Sequence, residues 1–289
     1  MNTSSDSIPR YALRNTLGES KRATVYLAHS ASLGCEVALK VGAVVRGEES
    51  QFAHEYQTIG HLSHPGIVDI YDYGFHGDRE YIAMEYFPCG DLRARLRHRL
   101  TPAQALHYVR GIAWALTAVH EQGVVHRDLK PANIMLRENG QVVLIDFGIA
   151  RQVGDQSCTA AGILRGSPYY MSPEQAKGKA LDGRSDLYSL GVIFHELLTG
   201  AKPYEGKSAV EVLQQHVSAP LPQLPPELAQ HQQLLNCLMA KSRNARFADA
   251  RELYAALSEK KRTLPESWTT ASFDPSGDQL ALHAGPSSS

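Results

Sequence analysis

Short runs rich in β-forming residues, separated by glycine or serine, fill the first third of the chain. Residues 11–18, 23–29 and 35–41 are predicted strands on this pattern. Residues 48–62 break it, because Phe52, Tyr56 and Ile59 recur at helical spacing and predict one amphipathic helix. Strand character returns over 67–75 and 80–85, with His76-Gly77-Asp78 as the turn between them. These elements predict a five-stranded antiparallel sheet with one helix.

After Pro88-Cys89-Gly90 the pattern becomes helical. Thr101-Pro102-Ala103-Gln104 is a helix start: threonine caps, proline suits the first turn, and glutamine reaches back to the cap amide. Leu106, Val109, Ile112, Ala113, Leu116 and Val119 mark one apolar face, and Gly123 stops the helix. Further helices are predicted over 185–199, 208–216, 226–239 and 249–257, with a proline-rich loop at 220–226. The reading is an α+β chain: an N-terminal extension (1–10), a small β-rich lobe (11–87), a larger mainly helical lobe (88–264) and a polar tail (265–289). A tail with little structure is the default, the alternative being a short partner-docking segment anchored by Trp268 and Phe273. No internal repeat is present.

The chain of 289 residues is 43% hydrophobic and 20% charged, as a soluble globular protein would be. A net charge of -1 supplies no global attraction to nucleic acid or anionic membrane. Residues 1–7 are polar and unlike a secretory signal, and no apolar run is long enough for a membrane helix, so a cytoplasmic location is expected. Cys35, Cys89, Cys158 and Cys237 are scattered without metal-ligand spacing and read as reduced thiols. His61 and His64 lie close together but lack the second ligand pair of a zinc site.

The chemistry concentrates in His126-Arg127-Asp128-Leu129-Lys130-Pro131-Ala132-Asn133 and Asp146-Phe147-Gly148. These segments bring a candidate base, cations and two oxygen-bearing metal ligands into one short region. Val37-Ala38-Leu39-Lys40 adds a lysine on a predicted strand. In this order and spacing the segments resemble the eukaryotic-type protein kinase family and its Ser/Thr branch. Tyr170-Met171-Ser172-Pro173-Glu174-Gln175 looks most like the bacterial members. The resemblance runs from about residue 11 to 257 and implies a bilobal protein-kinase-like fold.

The resemblance implies the following roles. Lys40 holds the α- and β-phosphates of ATP, the alternative being an ordinary strand lysine. Glu55 is its ion-pair partner, with Glu48 and Glu49 as competitors in the first helical turn. Asp128 accepts the proton of the substrate hydroxyl and Lys130 sits by the transferring phosphoryl; singly, Asp128 also reads as a turn aspartate. Asn133 and Asp146 hold Mg2+, with Mn2+ as an alternative ion. Leu17, Gly18, Val25, Ala38 and Met135 enclose the nucleotide, Met84 guards the pocket depth, and Glu85-Tyr86-Phe87 is the hinge that bonds adenine. These apolar residues would serve equally as plain core. Ile59, Ile70, His126 and Phe147 form an internal column.

The phosphate loop departs from the family pattern. Gly18-Glu19-Ser20-Lys21-Arg22-Ala23-Thr24-Val25 keeps only the first of three glycines, which puts tight phosphate clamping in doubt.

Residues 149–172 match an activation segment whose phosphate, first at Thr159 and next at Ser157, would bind Arg127. Small polar residues are also ordinary loop residues. Ser167 looks like a contact to the base and Lys130. Glu174 is expected to pair with Arg246, and Asp186 to bond the catalytic-loop backbone from the start of a buried helix. Cys158 reads as a bystander thiol. Arg93, Arg95, Arg97, His98 and Arg99 form a basic run, either a solvated helix or a dock for acidic partners. The family also implies protein substrates with Ser/Thr acceptors and a cognate phosphatase. Two rivals are weighed: a pseudokinase that binds nucleotide or partners, and a kinase-fold enzyme acting on a small molecule.

Overall fold

A computed structural model describes residues 8–20, 23–44, 50–147 and 167–259. Strands β1 (Tyr11–Glu19), β2 (Ala23–Ser30), β3 (Cys35–Ala43), β4 (Ile70–His76) and β5 (Arg79–Glu85) form one antiparallel sheet in the order β1-β2-β3-β5-β4. Alternation along β3 decides what each face does. Val37, Leu39 and Val41 pack with Ile8, Tyr11, Ala28 and Ala83 on one side. Ala38 and Lys40 occupy the opposite face, with Lys40 between Val25 of β2 and Ile82 of β5.

Helix α1 (Gln51–Ile59) starts at Ser50, whose hydroxyl accepts the Ala53 amide. Its Phe52, Glu55 and Ile59 are all buried. Their spacing of three and four puts them on one face, so the apolar anchors fix where Glu55 points. The helix is shorter than the expected 48–62, since the Ser50 cap sets its first turn and Gly60 caps its end.

In the helical lobe, α2 (Leu92–Leu96) is capped by Asp91 and α3 (Pro102–Glu121) by the Thr101–Gln104 capping box. A five-residue helix is unstable alone. Leu92, fully buried in the main core, anchors α2 with about 2 kcal/mol of burial. A hairpin of β6 (Ile134–Leu136) and β7 (Val142–Leu144) follows. Then come α4 (Pro173–Ala176), α5 (Gly183–Thr199), α6 (Ala209–Ser218), α7 (Gln232–Leu238) and α8 (Ala250–Glu259). Helix α5 is buried along nearly its whole length and packs against α3, α7 and α8. One continuous core runs from Ala38, Ile82 and Met84 beneath the sheet through Phe87 and Leu92 into these helices.

Three expected elements differ. Strand β4 begins at Ile70 rather than residue 67, because the residues before it pair elsewhere: Leu144 donates to the Gly66 carbonyl and Val68 to the Leu144 carbonyl. That link ties the sheet lobe to the β6–β7 hairpin. The single helix expected over 226–239 is a 3-10 turn, Pro226–His231, followed by α7. Pro225 and Pro226 lack amide protons, and Leu228 bonds back three residues to Pro225. The basic run is helical only to Leu96, with Arg97 as the cap. Among the described residues no helix is long and apolar enough to cross a membrane.

Candidate active site

Lys40 is brought to the site by β3, Glu55 by α1 and Asp146 by the loop after β7. The Lys40 Nζ donates to Glu55 Oε2 at 3.0 Å and to Asp146 Oδ1 at 2.7 Å. Burial works against the Lys40 ammonium, but the Asp146 and Glu55 carboxylates outweigh it and hold its pKa above the ordinary lysine range. Lys40 in turn keeps the Asp146 carboxyl below the usual carboxylate range, against the opposing effect of burial. Burial pushes Glu55 up despite Lys40. Glu48 and Glu49 lie outside the described residues.

Behind this triad stands the apolar column. Ile59, His126 and Phe147 are buried and Ile70 packs against the same core. The His126 and Phe147 rings are 4.7 Å apart, and His126 Nε2 donates to the Ile145 carbonyl at 3.1 Å. Burial lowers the His126 pKa, which keeps the ring neutral in that donor role. Asp146 itself has φ 51°, a left-handed conformation that costs a non-glycine residue on the order of 1 kcal/mol or more. Packing of the next residue, Phe147, and the bond to Lys40 hold it there.

Asp128 lies in the loop between α3 and β6. Its Oδ2 accepts Lys130 Nζ at 2.6 Å and Asn133 Nδ2 at 3.3 Å, and its carbonyl accepts Asn133 Nδ2 at 3.0 Å. The loop is held from below by Asp186, buried at the start of α5. Asp186 accepts the amides of His126 and Arg127 at 2.9 and 3.0 Å and bonds His120 Nε2 at 2.8 Å. Burial raises the Asp186 pKa, but His120 and the loop amides reverse that and keep it ionised. Arg127 has φ 66°, so the backbone turns sharply just before the candidate base.

The donor set fits a hard divalent cation. The Asn133 amide nitrogen is spent on Asp128, which leaves its oxygen for a metal, and Asp146 keeps a second carboxylate oxygen beyond the one Lys40 holds. Two protein oxygens suit magnesium, which completes its shell with phosphate and water. Among the described residues no cluster of three or more His, Cys, Asp or Glu forms a closed metal cage.

The surrounding positions fall as follows. Val25 and Ala38 lie on neighbouring strands of the sheet and Met135 on β6, all against one core. Strand β5 ends at Glu85, so Tyr86 and Phe87 leave the ladder, and the Phe87 carbonyl accepts the Gly90 amide at 3.1 Å. Leu17 is exposed, and a side chain at Gly18 would meet open space. Ser20 closes the β1–β2 turn: its hydroxyl donates to the Ala23 carbonyl at 2.9 Å and accepts the Ala23 amide at 3.1 Å. The substitution of a glycine thus supplies a lock across the turn. Glu174 and Arg246 form the expected buried pair, with two bonds of 2.7 and 2.9 Å. His64 is structural, its Nδ1 accepting the Gly66 amide and its ring lying 4.2 Å from Trp114.

Ser167 stands just before the 3-10 turn Pro168–Tyr170, and its carbonyl accepts the Tyr170 amide at 3.3 Å. Gly148, Ser157, Cys158 and Thr159 lie outside the described residues.

Three supporting residues were missed in the sequence. Gln175 donates to the Arg127 carbonyl at 2.7 Å while accepting the Ser172 amide at 2.9 Å. The capping-box spacing Ser172 to Gln175 was a visible signal for the second bond and silent on the first. Arg137 grips Glu85 with bonds of 2.8 and 2.7 Å from 52 residues away. His120 supports Asp186 from the end of α3. Neither of these last two carries a local signature.

A lysine–carboxylate triad together with a loop aspartate and an asparagine is the set of groups that phosphoryl transfer uses. The protein kinase domain family matches residues 11–256, and the chain belongs to that family. Among curated relatives, a probable serine/threonine-protein kinase of Streptomyces coelicolor is 44% identical over 220 residues, 72% of this chain and 33% of the relative. The serine/threonine-protein kinase PknL of Mycobacterium tuberculosis is 35% identical over 272 residues, 89% of this chain and 67% of that one. PknB of Mycobacterium tuberculosis is 38% identical over 276 residues, 89% of this chain and 44% of its own length. The chain therefore spans from a third to two thirds of these relatives.

Proposed function

We propose that this chain is an active serine/threonine protein kinase, transferring the γ-phosphoryl of ATP to protein hydroxyls. The observation that carries the reading is Lys40 bonded at once to Glu55 and Asp146. Lys40 binds the α- and β-phosphates, and Glu55 keeps the lysine extended toward them. Val25, Ala38 and Met135 sandwich the adenine, Leu17 and Gly18 cover it, and the backbone of Glu85 and Phe87 bonds its edge. Asn133 and Asp146 hold magnesium, or manganese in its place, which neutralises charge on the phosphate oxygens when bound.

Asp128 orients the acceptor hydroxyl and takes its proton. The hydroxyl oxygen forms a bond to the γ-phosphorus as the bond to the ADP oxygen breaks, and the Lys130 ammonium faces the charge on the moving phosphoryl. A phosphate on Thr159, or on Ser157, placed there by the chain itself, pairs with Arg127 and orders the acceptor site. Proteins with Ser/Thr acceptors are the substrates, a phosphatase reverses the modification, and the site of action is the cytoplasm.

The test is transfer from labelled ATP with magnesium to a protein acceptor. Wild type should label serine and threonine, and Asp128→Asn should reduce the rate by about a thousandfold or more. No transfer by wild type would leave a nucleotide-binding pseudokinase; transfer only to small hydroxyl compounds would leave the second rival.

A further inference from the structure

A cavity of about 420 Å³ lies between α4 and the loop after α7. Its lining is strongly basic: Lys177 and Lys179 on one wall, Lys241 and Arg243 on the other. This is notable in a chain whose total charge is -1.

The two walls are built for this. Helix α4 ends in a left-handed turn at Gly178 (φ 63°), closed by bonds from the Gly178 amide to Gln175 and from the Lys179 amide to Glu174. The turn sets Lys177 and Lys179 on either side of the glycine. Both are exposed, and neither has a carboxylate partner among the described residues. Opposite them, Lys241 is fixed by the Tyr204 hydroxyl at 2.9 Å and the carbonyls of His216 and Gln215 at 3.0 and 3.2 Å.

The nearby acids are already committed. Glu174 accepts both Arg246 bonds and the Ser185 hydroxyl. Asp182 accepts Arg184 and Arg243. Arg243 is paired with Asp182 and the Lys241 ammonium spends its three donors on Tyr204, His216 and Gln215, so the charge left for a ligand in this concave site is that of Lys177 and Lys179. Burial and the Arg246 guanidinium pull the Lys241 pKa down to about 8, as crowded cations require.

We propose that this cavity binds the phosphate of a phosphorylated serine or threonine in a protein segment, docking proteins that already carry phosphate beside the acceptor shelf. The volume exceeds that of a lone phosphate and admits flanking peptide. The site is also coupled to the chemistry by position. Glu174 lines the cavity, and the adjacent Gln175 bonds the carbonyl of Arg127 next to the candidate base. The choice of phosphorylated protein as the ligand's source rests on the proposed kinase activity, since such proteins are its product.

The experiment is fluorescence anisotropy on the full chain without nucleotide. The probes are a labelled phosphothreonine peptide and its unphosphorylated twin, with inorganic phosphate as competitor. Wild type should bind the phosphopeptide about tenfold or more tightly than the twin. Lys177→Ala with Lys179→Ala should abolish that difference, and Lys177→Arg with Lys179→Arg should keep it. The alanine pair should phosphorylate a short unphosphorylated acceptor at the wild-type rate, which shows the fold and chemistry intact. Equal preference in wild type and the alanine pair, or no preference in wild type, would overturn the proposal. Displacement by equimolar inorganic phosphate would also overturn it, by marking a free-phosphate site. Binding is read without turnover, so its outcome and that of the kinase assay are independent.

Discussion

Lys40 and Asp146, 106 residues apart, meet at 2.7 Å. This contact joins the sheet lobe to the loop that leaves the β6–β7 hairpin, and Glu55 adds α1 to it at 3.0 Å. The three elements share one half-buried cation, so displacing any of them strips it of a counter-charge.

Glu55→Gln keeps the shape and removes one of the two negative charges on Lys40. Lys40 keeps its bond to Asp146 and, on the proposed function, would turn from the phosphates. The expected result is a fall in kcat/KM for ATP of about 10- to 100-fold, equivalent to about 1.4 to 2.8 kcal/mol of transition-state stabilisation. Steady-state kinetics with a peptide acceptor measures it. An unchanged kcat/KM would show that α1 plays no part in positioning Lys40.

Glu174 and Arg246 are almost wholly buried and bond in two places. Breaking the pair with Glu174→Gln leaves a buried guanidinium short of its counter-charge and should cost about 3 to 5 kcal/mol. The pH dependence follows from the sign of the shift. Burial raises the Glu174 pKa, but Arg246 and Ser185 bring it below the ordinary glutamate value. A carboxyl depressed in the folded state stabilises the protein above its unfolded pKa and loses that contribution as pH falls through the folded value. Stability should therefore decline from about pH 4.5 downward. The Glu174→Gln variant should start lower and decline less steeply. Urea denaturation across pH measures both.

Gln175 bridges the Ser172 amide and the Arg127 carbonyl. Gln175→Ala removes two bonds, one of which fixes the loop carrying Asp128. We expect kcat to fall by about tenfold, with KM for ATP near wild type, since the nucleotide contacts are elsewhere. A change confined to KM for ATP would contradict this role.

Arg137 holds the Glu85 carboxylate, and its guanidinium lies 5.9 Å from the Phe87 ring centroid. Arg137→Met releases both ends of the connecting strand. The expected outcome is the reverse of the Gln175 variant: KM for ATP rises about three- to tenfold while kcat is nearly constant.

The pattern of what the sequence revealed has a physical basis. The strand carrying Lys40 and the capped start of α3 were legible because local alternation and the Thr101–Gln104 spacing encode them. Glu55 was legible because helical spacing puts it on the same face as Phe52 and Ile59. Arg137 and His120 were not, since their partners lie 52 and 66 residues away and only the folded core brings them together. The 3-10 turn before α7 was missed because apolar spacing does not register the missing amide protons of Pro225 and Pro226.

The most direct test of the central claim is phosphosite mapping by mass spectrometry, after incubating wild type and Asp128→Asn with ATP and magnesium. The account predicts phosphate on serine and threonine of the wild type, Thr159 foremost, and almost none on the variant. Phosphate absent from wild type, equal on both proteins, or carried on tyrosine would contradict it.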